Sequence, residues 1–515
     1  MKLTGYVDGS TQPDLTLTPE VCIIGSGAGG AVAAHELVTS GREVLVVEEG
    51  GNHTRRDFHM LEGEAYPQLY QEAGQRTTKD LSIVIMQGRA VGGTTVVNWT
   101  TCFRTPPEVL DHWRVHHGVV GVDTAALDPH WAAVEERLNI HKVPEALMNR
   151  NNRLLYEGCK ALGWDVDTTR RNQKGCKQSG YCGMGCPVDA KQSMLITYLP
   201  DAVNKGASVL SRCRIDRLRI ERGEVVEAQG TLLDAPGLRP TGKSVSIRAK
   251  KFVLSAGSIG TPAILLRSGI ENPAVGRRTF LHPVVVSVGV YDDLVLSCYG
   301  APQSAASHQF AHRGDKVGFV LEAAPLHPVL MAACTPGLGP NHRAAMELFP
   351  RVAVHIALCI DGFHPDEPGG VVGVHASGAP YLDYRSGPRI QEAMREAQQR
   401  MAEVQFATGA RSVMTLHDPV LMLNDRSEIP RLKDASFAPL DVFMVTAHVM
   451  GGCALGEDPR HAVVRSEDLR AHDVKNLHVV DGSVFPTSLG VNPQLSIYGL
   501  ARLASSRMAA SWARG

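Results

Sequence analysis

Two side chains near the end of the 515-residue chain form a pairing suited to alcohol oxidation. His448 stands in the run Thr446-Ala447-His448-Val449-Met450-Gly451-Gly452-Cys453, and Asn492 opens Asn492-Pro493-Gln494. An alcohol proton is too weakly acidic to leave unaided at neutral pH, so hydride departure from carbon needs a base with a pKa near 7, which neutral histidine supplies. A carboxamide N–H donates to the oxygen as negative charge builds there, and it cannot itself ionise. His448 is therefore the expected base and Asn492 its partner. A single histidine beside glycines is also a common turn or core residue, so the pair takes its meaning from what surrounds it.

A second group of residues points to a dinucleotide. Val21-Cys22-Ile23-Ile24 reads as a strand buried on both faces, and Gly25-Ser26-Gly27-Ala28-Gly29-Gly30 leads from it into a helical pattern through Ala34, Leu37 and Val38. Gly25 permits the tight turn, Gly27 lets the backbone approach a diphosphate at the helix N-terminus, and Gly30 lets helix pack on strand. A second apolar strand, Val44-Leu45-Val46-Val47, ends in Glu48, where a carboxylate can accept from ribose hydroxyls. Farther on, Gly88-Arg89-Ala90-Val91-Gly92-Gly93-Thr94-Thr95-Val96-Val97-Asn98 forms a loop whose N–H groups can cradle an anion.

The remaining chemistry-bearing cluster is Cys176, Cys182 and Cys186. Three thiolates in a Gly-containing loop can hold an iron–sulfur cluster or, with a fourth ligand, zinc. Neither spacing is the C-x2-C of common metal sites, so the expectation is a structural loop and no metal.

The elements that must position these residues need more than one core, and the length predicts two or three domains. A net charge of -1 offers no footprint for nucleic acid or an anionic membrane. The start, Met1-Lys2-Leu3-Thr4-Gly5-Tyr6, lacks a signal peptide's apolar region, so the eleven cysteines read as mostly reduced thiols of a cytoplasmic protein. The longest apolar run, about 317 to 334, is broken by Glu322, Pro325, His327 and Pro328 and predicts no transmembrane segment. Strand-like runs at Val284–Val288, Val352–Cys359 and Val371–His375, with a helix near Arg389–Thr408, suit an antiparallel sheet.

The glycine-rich motif, Glu48 and the loop through Asn98 together resemble the glucose–methanol–choline (GMC) oxidoreductases. Residues Gly257-Ser258-Ile259-Gly260-Thr261-Pro262-Ala263-Ile264-Leu265-Leu266-Arg267-Ser268-Gly269-Ile270 are similar to the family's second signature, departing at Glu271. Cys182–Cys186 through Lys191-Gln192, and Val484 through Pro493, resemble the long-chain (fatty) alcohol oxidase branch. The resemblance implies an α/β fold: a Rossmann-like FAD-binding domain from 1–103, 190–280 and 441–515, and an α+β substrate domain with an antiparallel sheet from 104–189 and 281–440. It implies FAD contacts at Gly25, Gly27, Gly30, Glu48, Arg89, Gly93, Thr94, Asn98, Arg214, Ala256, Asp481, Gly482, Asn492, Pro493 and Gln494. It also implies that Asn492 caps the closing helix, with the positive helix end facing the flavin. Some relatives attach flavin covalently through a histidine where this chain has Val97, so FAD is expected to be non-covalent. The expected substrate is a small apolar primary alcohol, long-chain or aryl, with dioxygen, a quinone or a redox protein as electron acceptor. Sterol oxidation, lyase chemistry and a flavin electron carrier are the alternatives. His282, preceding Pro283, reads as structural rather than catalytic.

Overall fold

The computed structural model describes residues 2–513. Six parallel strands form the first sheet, in the order Gly5–Asp8, Ser208–Ser211, Val44–Val47, Val21–Ile24, Lys251–Leu254 and Leu477–Val479. Val21–Ile24 and Val44–Val47 are apolar and buried throughout, as strands covered on both faces must be. Ala28–Thr39 and the closing helix Gln494–Trp512 pack on this sheet and share one core with it. Helices Pro107–His117 and Thr124–Arg137 also lie in this core, through Trp113, Trp131 and Val134, although the composition changes at residue 104.

The chain leaves the parallel sheet at residue 212. Ser208–Ser211 stays in the parallel sheet, Arg212 turns the chain with φ +51°, and Cys213–Glu221 starts an antiparallel meander with Glu224–Leu233 and Pro240–Ile247.

The second large sheet has nine strands, with Val284–Val290 and Val352–Cys359 at its centre and Phe319–Ala323 beside them. Its two faces have different partners. Val285, Ala357, Phe319 and Leu321 point to the helix Pro388–Ala407, whose Met394, Ala397, Met401 and Val404 recur at helical spacing. Val284, Val286, Val288, Ile356, Leu358 and Met414 form the other face, together with Trp99 and Val445. Val371–Val374 does not join this sheet; it pairs with Pro380–Asp383 in a separate hairpin. No described helix is long and apolar enough to cross a membrane.

Candidate active site

The first turn of the nucleotide fold is built by close backbone approach. Gly25 has φ +102°, and a Cβ there would strike Ser255 O. A Cβ on Gly30 would strike Gly25 O, and one on Gly29 would strike Val480 O, so the motif's fifth position is as constrained as its first and last. Gly27 is the exception, since a Cβ there meets only Gly93 Cα at 3.8 Å. Gly93 in turn has φ +56° and packs onto Gly27. The two glycine loops thus face each other across a gap bare of side chains, at a helix N-terminus without a side-chain cap. That cradle fits the diphosphate of a dinucleotide.

Glu48 closes one end of the cradle. Its buried carboxylate accepts from Ser26 N at 3.0 Å, Ser26 Oγ at 2.6 Å and Gly50 N at 2.9 Å. Burial nevertheless raises its pKa. Thr94 Oγ1 accepts from Gly88 N at 3.1 Å and shapes the second loop. Arg89 turns to the Gly237 carbonyl and leaves its buried Nε without a partner. Arg214 pairs with Asp216 at 2.8 Å. Ala256 precedes the helix Gly257–Arg267, whose first turn is held by Asp481: its carboxylate accepts from Gly257 N at 2.9 Å and Thr261 Oγ1 at 2.6 Å. Gly482 follows in the short turn capped by Asp481.

The loop through Asn98 is tied to the closing helix. Asn98 Nδ2 donates to Gln494 Oε1 at 2.7 Å, and Gln494 Nε2 donates to Thr101 O at 2.6 Å. The helix begins at Gln494 after Pro493, with no side-chain cap. Asn492 therefore does not cap it, correcting the sequence expectation. Its carboxamide turns instead to His448, with Nδ2 3.4 Å from Nε2. His448 and Asn492, forty-four residues apart in the chain, are thus neighbours in the fold.

Two further residues join them. His282 is 1% exposed, and its Nδ1 lies 3.3 Å from His448 Nδ1. Its Nε2 accepts from Gly490 N at 3.0 Å, so this histidine, read as structural in the sequence, is held in place beside the pair. Glu322 is fully buried on the aliphatic sheet face, opposite Ile356, which in turn pairs with Val286. Gln303 Nε2 donates to its Oε2, while Oε1 has no hydrogen-bond partner. The Asn492 carboxamide lies close enough to favour its charged form, yet burial prevails and pushes its pKa up to about 8. In the sequence Glu322 figures only as a charge interrupting an apolar run. A lone carboxyl inside a buried strand is itself a functional signal, because such a group is rarely buried without a charged partner and its shifted pKa is a mark of functional sites.

Burial also lowers the His448 imidazole to about 4, well under the value near 7 expected of a free-standing base. His282 is held well below its ordinary value, by burial first and by His448 second.

The three cysteines line one cavity with Arg171 and Lys191. Among the described residues, no group of three or more His, Cys, Asp or Glu is placed to hold a metal ion. Lys191 is fully buried and lowered to about 8 by desolvation. It donates to Val96 O, to Asn98 O at 3.0 Å and to Cys182 O at 2.7 Å, joining the cysteine loop to the back of the second glycine loop.

GMC oxidoreductase domain profiles match residues 66–284 and 371–501, and a NAD(P)-binding Rossmann-like profile matches 23–56. An uncharacterized GMC-type oxidoreductase of Mycobacterium tuberculosis is 32% identical over 496 residues, covering 95% of this chain and 75% of the relative. A long-chain-alcohol oxidase of Arabidopsis thaliana is 29% identical over 517 residues, and the match covers 95% of this chain but 66% of that longer protein. Among solved structures, pyridoxine 4-oxidase from Mesorbium loti superposes with a TM-score of 0.70 at 18% identity, covering 95% of this chain and 98% of that one. Formate oxidase gives 0.72 at 15% identity, over 98% of this chain and all of that one.

Proposed function

This chain belongs to the GMC oxidoreductase family and is an FAD-dependent oxidoreductase acting on CH–OH donors; we propose that its substrate is an apolar primary alcohol, long-chain or aryl, oxidised to the aldehyde. FAD, when bound, accepts the hydride from the carbinol carbon. The observation that carries the substrate class is the sheet face around Glu322. Val284, Val286, Val288, Ile356, Leu358 and Met414 form it, and polar groups gather at one corner, where Glu322 and Asn492 meet. Such a wall gains from burying an alkyl chain and orients only its hydroxyl end.

Two opposed glycine loops and Glu48 hold the nucleotide portion, and Val97 offers no nucleophile, so the flavin is held non-covalently. Acid precipitation will leave the yellow colour in the supernatant; a yellow pellet would refute this. Dioxygen, a quinone or a redox protein reoxidises the flavin, and the setting is cytoplasmic.

At the reacting end, Asn492 donates to the substrate oxygen and His448 takes the hydroxyl proton. The unpartnered Glu322 oxygen favours a second reading, in which that carboxylate takes the proton and His448 donates. The pH dependence of anaerobic flavin reduction at limiting alcohol separates them. With His448 as base, the rate is lost only as pH falls through about 4, where the imidazole protonates. With Glu322 as base, the rate rises as pH climbs through about 8, where the carboxyl ionises.

Substrate class is tested by the same measurement over primary alcohols from butanol to dodecanol. Each buried CH₂ contributes about 0.8 kcal/mol, roughly fourfold in kcat/KM where the binding energy is expressed in the transition state. The series will climb steeply and then level off. A profile flat or falling beyond about six carbons would remove the apolar-chain reading.

A further inference from the structure

The strands Phe319–Ala323 and Val352–Cys359 are antiparallel neighbours, with Ala323 opposite His355, so a short turn would suffice to join them. The chain instead leaves the sheet after Ala324 and returns only at Val352. This excursion has an inner and an outer side. On the inner side Leu326, Cys334 and Leu348 pack against the aliphatic sheet face that carries Val284, Val286 and Ile356. The excursion is therefore the cover of the wall proposed for the substrate's alkyl chain.

The outer side lacks what a water-facing surface needs. Charged residues make up 20% of the whole chain, yet the stretch from Ala323 to His342 includes no Asp, Glu, Lys or Arg. The helix Pro328–Cys334 buries Met331 and shows solvent Val329, 53% exposed, together with Ala332 and Ala333. A helix with one face on a core ordinarily sets polar residues on the other. Past it, Gly337-Leu338-Gly339 forms a tip in which both glycines have positive φ and Leu338 is 90% exposed. A Cβ on Gly339 would meet nothing within 4 Å, so the tip stands clear of the protein. The helix beneath it is firmly held. The buried Glu62 carboxylate accepts from Val329 N at 2.7 Å and Leu330 N at 2.8 Å, and His327 packs on Tyr181 with ring centroids 4.6 Å apart.

We infer that this excursion is a docking surface for a lipid bilayer with zwitterionic headgroups, with Val329 and Leu338 entering its apolar layer. Three observations select that partner. A protein partner is gripped through aromatic and arginine anchors and directional hydrogen bonds, whereas this patch offers aliphatic side chains. An anionic surface is recognised by clustered lysine and arginine, which 323–342 lacks. The inner side of the same segment covers the apolar wall, so docking brings the wall to the layer in which an apolar alcohol dissolves. That third step rests on the proposed substrate class; the first two do not.

The test is co-flotation of FAD-loaded enzyme with phosphatidylcholine vesicles. Wild type will float with them, and added salt will not release it, since the contact involves no ion pair. The double variant Val329→Asp/Leu338→Asp places charge where the apolar contact forms. Its vesicle affinity will fall at least about tenfold, the effect of losing one buried leucine contact. FAD content, melting temperature and the rate with butanol in solution will stay at wild-type levels, while oxidation of dodecanol embedded in vesicles will fall with binding. Wild-type enzyme that fails to float, binding that salt releases, or a double variant that floats as well as wild type overturns the inference. Self-association of lipid-free wild type that the double variant abolishes overturns it too, assigning the patch to a second copy of the chain. Patch-dependent flotation without oxidation of any alcohol would refute the proposed function and leave the docking surface standing.

Discussion

The His448 corner and the cysteine loop are both conspicuous in the sequence as chemistry-bearing, and the fold treats them in opposite ways. The corner is assembled from four distant segments, contributing His282, Glu322, His448 and Asn492, none adjacent in the chain. The loop contributes three thiols within eleven residues, yet it forms no metal-holding group among the described residues. Its polar contacts run to main-chain carbonyls through Lys191, whereas the corner leaves a Glu322 oxygen without a partner and sets His448 against the Asn492 carboxamide. Reactive groups that lie close in sequence serve here as a buttress. Reactive groups gathered by the fold make the proposed site.

The sharpest way to break this contrast is to remove the corner's chemistry. His448→Ala will bind FAD but reduce it with alcohol at least about a hundredfold more slowly, the lower range for losing a general acid or base. Asn492→Ala will slow reduction by roughly a hundredfold, typical of losing one donor to a developing oxyanion. Stopped-flow flavin bleaching measures both, and a near wild-type rate in either variant would show that the corner is ordinary packing.

The parts of this arrangement differ in how legible they are from sequence. The nucleotide turn can be read because its glycines answer to local geometry: Gly25 and Gly30 are required wherever a strand turns tightly into a helix. The second face of the nine-stranded sheet can be read as strands but not as a wall, since alternation does not say what a face looks onto. His282 and Glu322 escape a sequence reading for one reason. Each is a lone polar residue in an apolar stretch, and its meaning comes from strand pairing across Phe319–Ala323 and Val352–Cys359 and from the backbone turn at 282. The capping role expected of Asn492 rests on Asn-Pro before a helix, a local signal, and it fails because the carboxamide turns to His448, forty-four residues away.

A smaller effect sharpens the buttress side of the comparison. Lys191→Met keeps the length of the side chain and deletes its donations to Val96, Asn98 and Cys182. Hydrogen bonds from a charged donor each contribute about 1.5–3 kcal/mol. The flavin loop recovers part of that by rearranging, so FAD affinity will fall by roughly tenfold, with little change in the reduction rate once FAD is saturating. Titration of the apoprotein with FAD reads the first, and stopped-flow at high FAD reads the second. An unchanged dissociation constant would detach the loop from the cofactor site.

The smallest effect belongs to the thiols themselves. If Cys176, Cys182 and Cys186 only fill a loop, replacing all three with serine exchanges one small polar atom for another in half-buried positions. Arg171 Nη2 donates to Cys182 Sγ at 3.7 Å and Gln178 N donates to Cys176 Sγ at 3.5 Å, both weak bonds that a serine hydroxyl can partly replace. Reduction by alcohol will therefore stay within about threefold of wild type, and the visible spectrum of enzyme purified without oxygen will show flavin bands alone in both proteins. A cluster would add broad absorbance that pure FAD lacks and would bleach independently of the flavin. Such absorbance in the wild type, abolished by the serines, would turn the buttress into a second redox site and end the contrast.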